Sequence, residues 1–175
     1  MEKRVVMSFW SDIFPPAREW GCYYTYPSFY LFLLALLIPG ANRMKWILLL
    51  NSIVVGLLGN AVYWAYYERN AGDLRDLFPG RTQEEATRSA FRTNLVHHTI
   101  PLVVSLFLFL RAPLRSEDLP AYLGALMVLW IAWLMVPYEG RDGGRKITVS
   151  YPSVKLYQIV FVWAAAAGIY AAVSK

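Results

Sequence analysis

Five apolar runs divide this chain, each able to cross a bilayer once and none long enough to cross it twice. They are Tyr23–Pro39, Trp46–Tyr67, Phe91–Leu110, Leu119–Val136 and Leu156–Val173. A spanning helix needs about 20 mostly apolar residues, and some of these runs reach that length only with their aromatic flanks. Backbone polar groups in hydrocarbon must be satisfied internally, which leaves helices as the form such runs take. The expected fold is therefore all-α: a polytopic transmembrane helical bundle of about five spans. Composition agrees. The chain is 57% hydrophobic and only 17% charged, far from a soluble domain. The first run is the shortest and is opened by Pro27, so it is expected to tilt or to thin the bilayer around it.

The net charge of +5 would point to nucleic acid in a soluble protein. Here its distribution reads as an orientation signal, and no nucleic-acid partner is expected. With five spans, the N-terminal segment, the 68–92 loop and the 138–155 loop share one side. That side carries Lys3, Arg4 and Arg18, five arginines between Arg69 and Arg92, and Arg141, Arg145, Lys146 and Lys155. The other side has Arg43, Lys45, Arg111, Arg115 and Lys175. The positive-inside rule places the N-terminus inside and the C-terminus outside. An integral membrane protein is expected, in an endomembrane or the mitochondrial inner membrane. Its partners would be membrane lipids and other membrane-protein subunits.

Cys22 is the sole cysteine, so no internal disulfide or multi-cysteine metal site can form. The apolar stretch after Lys3-Arg4 is short and broken by Ser11-Asp12, unlike a cleavable signal. Glu2, Asp12 and Glu19 argue against an organellar presequence. Residues 1–22 are expected to be interfacial, with Trp10, Phe14 and Trp20 among charges. Residues 23–175 are expected to form a single transmembrane domain. Its short Pro39–Lys45 turn makes the first two spans an antiparallel pair.

Local patterns refine this. Thr82 and Glu85 have capping-box spacing, so the third helix should start near Thr82, before its apolar run. Glu84 and Arg88 form a favourable four-residue pair. The 138–155 loop, with Gly140, Gly143 and Gly144, is expected to be irregular. Ser52, Gly56, Gly59 and Asn60 share one helical face, and Ala164, Gly168 and Ala172 recur every four residues. Both sets are expected to pack against neighbouring helices.

Both histidines, His97 and His98, stand at the mouth of the third apolar run. Ionisable groups there are costly and are functional candidates. The topology gathers further polar and aromatic groups at the same inner face: Thr25 and Ser28, the Tyr63–Glu68 stretch, Asn94, Trp130 and Trp133, and Tyr151-Pro152. Asn94 and His98 are four apart and share a helical face, while His97 points about 100° away. His98 is thus expected to look into the bundle, with a partner from span one, two or four. His97 is expected to lie toward a neighbouring helix or headgroups.

A histidine base with a hydroxyl nucleophile (Thr25, Ser28 or Thr93) would suit a hydrolase, although no nucleophile-elbow motif is present. Two adjacent histidines are too few for a catalytic metal and cannot supply both axial ligands of a haem within one chain. No cofactor is expected. Selectivity-filter sequences and internal repeats, the marks of channels and transporters, are missing from the sequence.

Three segments in order resemble the androgen-induced and androgen-dependent membrane hydrolase family, which cleaves fatty acid esters of hydroxy fatty acids. They are Tyr63-Trp64-Ala65-Tyr66-Tyr67-Glu68-Arg69, Asn94-x-x-x-His98-Thr99, and Leu129-Trp130-Ile131-Ala132-Trp133-Leu134 followed by Tyr151-Pro152. The resemblance covers roughly residues 46–173. It implies a lipid-ester hydrolase-like protein with an inner-face acyl pocket. His98 would be the base, Asn94 its orienter or an oxyanion donor, and Thr25 the nucleophile. His97, Tyr66, Tyr67, Trp130 and Trp133 would contact substrate. The chain departs from the family in having one span fewer and no clear match to the threonine nucleophile's neighbourhood. Pro101 follows His97, not His98, by the four residues seen in bacterial relatives. The other expectation is a non-catalytic structural or lipid-binding subunit of a larger membrane complex.

Overall fold

A computed structural model describes residues 10, 13–14, 25–40, 42–64, 81–112, 115–135, 139–142, 145–148 and 156–173. Among the described residues the secondary structure is helical except for one short hairpin. In chain order, α1 is Thr25–Leu37, α2 Arg43–Val62 and α3 Gln83–Asn94. A π-helical turn, Leu95–Thr99, joins α3 to α4, Ile100–Phe109. A 3-10 turn at Ser116–Asp118 leads into α5, Leu119–Met135, and α6 is Leu156–Val173.

The helix α2 is the hub. It packs against α1, the π-turn, α4, α5 and α6, and every residue from Leu48 to Gly56 is buried. A helix apolar around its whole circumference belongs at the centre of a bundle. It is also the one described helix long and apolar enough, over Arg43–Ala61, to cross a membrane. Shorter apolar helices run over Thr25–Leu37, Leu119–Trp130 and Trp163–Ala172.

Short-range chemistry sets the helix ends. Asn42 caps α2 by accepting from the Met44 N–H at 2.8 Å, and Gly40 adopts φ +66° in the turn before it, a conformation that costs glycine little. The expected α1–α2 pair forms, fastened by Asn51 Nδ2 donating to Ser28 Oγ at 2.8 Å. Trp130 Nε1 of α5 donates to Asn51 Oδ1 at 3.1 Å, so one buried amide ties three helices. The α3 start falls where the capping box put it: Thr82 and Glu85 satisfy each other's backbone N–H. Glu84 and Arg88 pair at 2.7 Å. At one end of the bundle Arg43 pairs with Asp118 at 3.2 Å, and Tyr170 donates to the Arg115 carbonyl at 3.0 Å. The α1–α2 turn and the α4–α5 loop therefore lie together.

Two expectations are corrected. The 138–155 loop is not wholly irregular: Glu139–Asp142 (β1) and Arg145–Thr148 (β2) form an antiparallel hairpin, with Glu139 opposite Thr148. The intervening Gly143-Gly144 is a pair that two-residue hairpin turns favour. The Ala164–Gly168–Ala172 stripe does not pack within the chain. All three residues are exposed, and a methyl at Gly168 would meet nothing within 4 Å. The opposite side of α6, with Ala166 and Tyr170, enters the core.

Candidate functional site

Both histidines sit inside the π-turn, where the Ile100 N–H reaches back five residues to the Leu95 carbonyl. Such single-turn widenings recur at functional sites. Leu95 and Ile100 face outward, while Asn94 and His97 are buried.

The face toward α2 is built on glycine. A methyl added to Gly56 would lie 2.6 Å from Leu102 Cβ and 2.8 Å from the His98 carbonyl oxygen. A methyl added to Gly59 would overlap the His98 imidazole at Nδ1, Cγ and Cε1. The missing side chains let the π-turn and α4 lie directly on the α2 backbone, which is the packing role expected for this face. Asn60, one residue further on, is a three-way hub. Its Oδ1 accepts from Asn94 Nδ2 at 3.0 Å and from Thr99 Oγ1 at 2.9 Å. Its Nδ2 donates to the Gly56 carbonyl at 2.8 Å.

His97 faces a different partner. Tyr26 and Phe29 of α1 meet its ring edge-on, with centroids at 5.2 and 4.7 Å. Its Nδ1 lies 3.2 Å from the Thr93 carbonyl and its Nε2 2.9 Å from the Ile13 carbonyl.

The predicted site residues separate accordingly. Asn94 and His98 both turn toward α2, as their spacing implied, but the Asn94 amide pairs with Asn60 and leaves its Oδ1 without a hydrogen-bond partner. His98 Nδ1 is buried and has no hydrogen-bond partner either. The expected order of exposure is reversed: His97 is 2% exposed, its two ring nitrogens near the Thr93 and Ile13 carbonyls, while His98 is partly exposed, although it has the expected partner on α2, the Val55 backbone. The physical reason is that α1 and Ile13 close over His97, whereas the His98 ring lies against Gly59. Thr25, the first residue of α1, is half-buried and makes no hydrogen bond to either histidine. Ser28 is committed to Asn51. Thr93 Oγ1 is buried without a partner. Trp130 is tied to Asn51 and meets Trp163 edge-on at 6.0 Å. Trp133 lies in α5. Tyr66, Tyr67, Glu68, Tyr151 and Pro152 lie outside the described residues.

Sequence reasoning missed Asn60 as the organising polar residue, although its place beside Gly59 on a small-residue face was visible. It also missed Tyr26 and Phe29, whose three-residue spacing puts them on one face of α1. Ile13 acts through its backbone, which leaves no signal in a side-chain pattern. Among the described residues no group of three metal-ligating side chains converges. The arrangement can bind through buried polar groups, but no hydroxyl stands in hydrogen-bond contact with an imidazole among the described residues. No family model, curated protein or solved structure matches the chain.

Proposed function

We propose that this chain is a polytopic integral membrane protein of about five spans with its N-terminus inside, a hydrolase-like bundle that binds acyl lipid without cleaving it. The observation that carries the membrane reading is its polarity. Buried positions include Asn51, Ser52, Asn94, His97 and Ser105, while Leu34, Leu37, Val103, Phe107, Val128 and Val160 are exposed. Water-facing surfaces do not sustain such an apolar girdle, and lipid does. The lipid reading rests on that girdle and on the aromatic setting of His97. The non-catalytic part rests on the histidines: among the described residues no hydroxyl stands in hydrogen-bond contact with either ring, and acyl transfer needs a nucleophile–base pair.

The purified full chain should retain acyl lipid through size-exclusion chromatography, detected by mass spectrometry of the extract. With a long-chain p-nitrophenyl ester, acid release should stay at the detergent blank and be unchanged by His98→Ala. Release that disappears in His98→Ala would overturn the non-catalytic part and restore the hydrolase. Extraction of the chain from membranes by alkaline carbonate would overturn the membrane part.

A second reading, a subunit of a larger membrane complex, is favoured by the exposed Ala164–Gly168–Ala172 stripe. Such a stripe permits close helix contact in lipid. In a mild detergent, Gly168→Leu should reduce the native particle to the mass of one chain. A wild-type particle already of that mass would eliminate this reading.

A further inference from the structure

The hairpin between α5 and α6 carries a charge mismatch that follows from its register. Successive strand positions alternate between faces, so Glu139, Arg141, Lys146 and Thr148 share one face and Gly140, Asp142, Arg145 and Ile147 the other. On the second face opposite signs are matched, with Asp142 directly across from Arg145. On the first, two cations are directly across from each other, Arg141 from Lys146, and one carboxylate position, Glu139, stands against both. Directly opposed positions put Cβ atoms about 4.5–5.5 Å apart, and like charges there destabilise the pair of strands. An anion shared by the two removes that cost. Arginine suits two phosphate oxygens at once, and lysine adds a point charge beside it. The hairpin also stands where such an anion is plentiful. β1 begins four residues after α5 ends at Met135, so even a fully extended connection keeps it within about 15 Å of the helix end. The 138–155 segment belongs to the positive, inner side, and the cytoplasmic leaflet is the one that carries anionic lipid.

We propose that the Arg141–Lys146 pair across β1 and β2 is a binding site for the phosphate of an anionic phospholipid headgroup. The site rests on the membrane reading above and adds a headgroup class to it. Asp142 and Arg145 offset each other by position, so headgroup selectivity belongs to one face of the hairpin and not to the net charge of the loop.

Native mass spectrometry of the full chain in mixed detergent–lipid micelles counts bound phosphatidylglycerol against bound phosphatidylcholine of the same acyl chains. The wild-type chain should retain phosphatidylglycerol in preference. Arg141→Gln should lower that preference about fivefold, the usual worth of one basic side chain at an anionic surface. Arg145→Gln makes the same change in net charge and should leave the preference unaltered. Lys146→Glu gives Arg141 a cross-strand partner of opposite sign, which favours the hairpin, so loss of preference in that variant does not come from unfolding. Equal losses in Arg141→Gln and Arg145→Gln overturn the site, because the attraction would then be spread over the loop. So does a wild-type chain without preference, or a preference that Lys146→Glu retains. Inorganic phosphate at the concentration of phosphatidylglycerol should not displace it; displacement would make free phosphate the ligand and overturn the lipid assignment. Retention of phosphatidylcholine measures acyl binding separately, so the reading above fails or stands on its own.

Discussion

Phe109→Ala is expected to destabilise the bundle by about 3–5 kcal/mol, the cost of deleting a large aromatic side chain from a packed core. The ring is fully buried and meets Trp46 and Tyr170 edge-on at centroid distances of 5.7 and 6.1 Å. It thereby joins α4 to α2 and α6, three elements far apart in sequence. In a membrane the apolar ring gains little by leaving lipid, so its contribution is tight contact with those neighbours and loss of the contacts leaves a void. Phe107, two residues earlier, is 50% exposed and provides the comparison. Titration with a denaturing detergent should show a large drop in midpoint for Phe109→Ala and a small one for Phe107→Ala. Equal drops would mean that the core is not where the structure puts it.

Gly56→Ala is the second large effect, about 1–3 kcal/mol by the usual cost of overpacking. The added methyl would collide with Leu102 Cβ and with the His98 backbone oxygen. Neither can swing aside by a rotamer change, because one is fixed to the main chain and the other belongs to it. The π-turn and α4 would have to move off α2 together, breaking the Asn60 bonds to Asn94 and Thr99. At Gly59 the nearest atoms to an added methyl all belong to the imidazole of His98, a side chain and not backbone, and Gly59→Ala should cost less. The same detergent titration ranks the two. A milder loss at Gly56 than at Gly59 would contradict the close backbone approach.

What could be read from the residues was local. Thr82 and Glu85 act on backbone within one turn, so their spacing carries the whole instruction, and α3 begins there. The Gly56–Gly59–Asn60 face could be recognised as a packing surface because small residues and an amide have few other uses in an apolar helix. Its partner could not be recognised, since the partner is a π-turn. A π-turn exchanges one set of backbone hydrogen bonds for another and requires no particular side chain. The face of α6 was assigned the wrong way for a related reason. Inside a soluble protein an apolar stripe identifies the buried side. On a helix apolar all round, as α6 is, lipid and protein interior are equally acceptable, and Ala164, Gly168 and Ala172 turned outward while Tyr170 went in. The order of the histidines was misjudged because Ile13 enters through its carbonyl, which every residue type possesses.

The π-turn has one more consequence, in the phase of the helix that contains it. A π-turn is an α-helix carrying one residue more than its pitch accommodates. Removing a single residue from Leu95–Thr99 would bring α3 and α4 into the phase of one α-helix, interrupted only by the missing N–H of Pro101. The segment Gln83–Asn94 would then rotate by about 100° against Ile100–Phe109. Asn94 would swing away from Asn60, and Ala86 and Ala90, which now pack with Tyr63, would leave α2. One inserted position thus acts as an angular offset between two halves of a helix: the apolar half keeps its seat on Gly56, and the polar half is turned to meet the other end of the same neighbour.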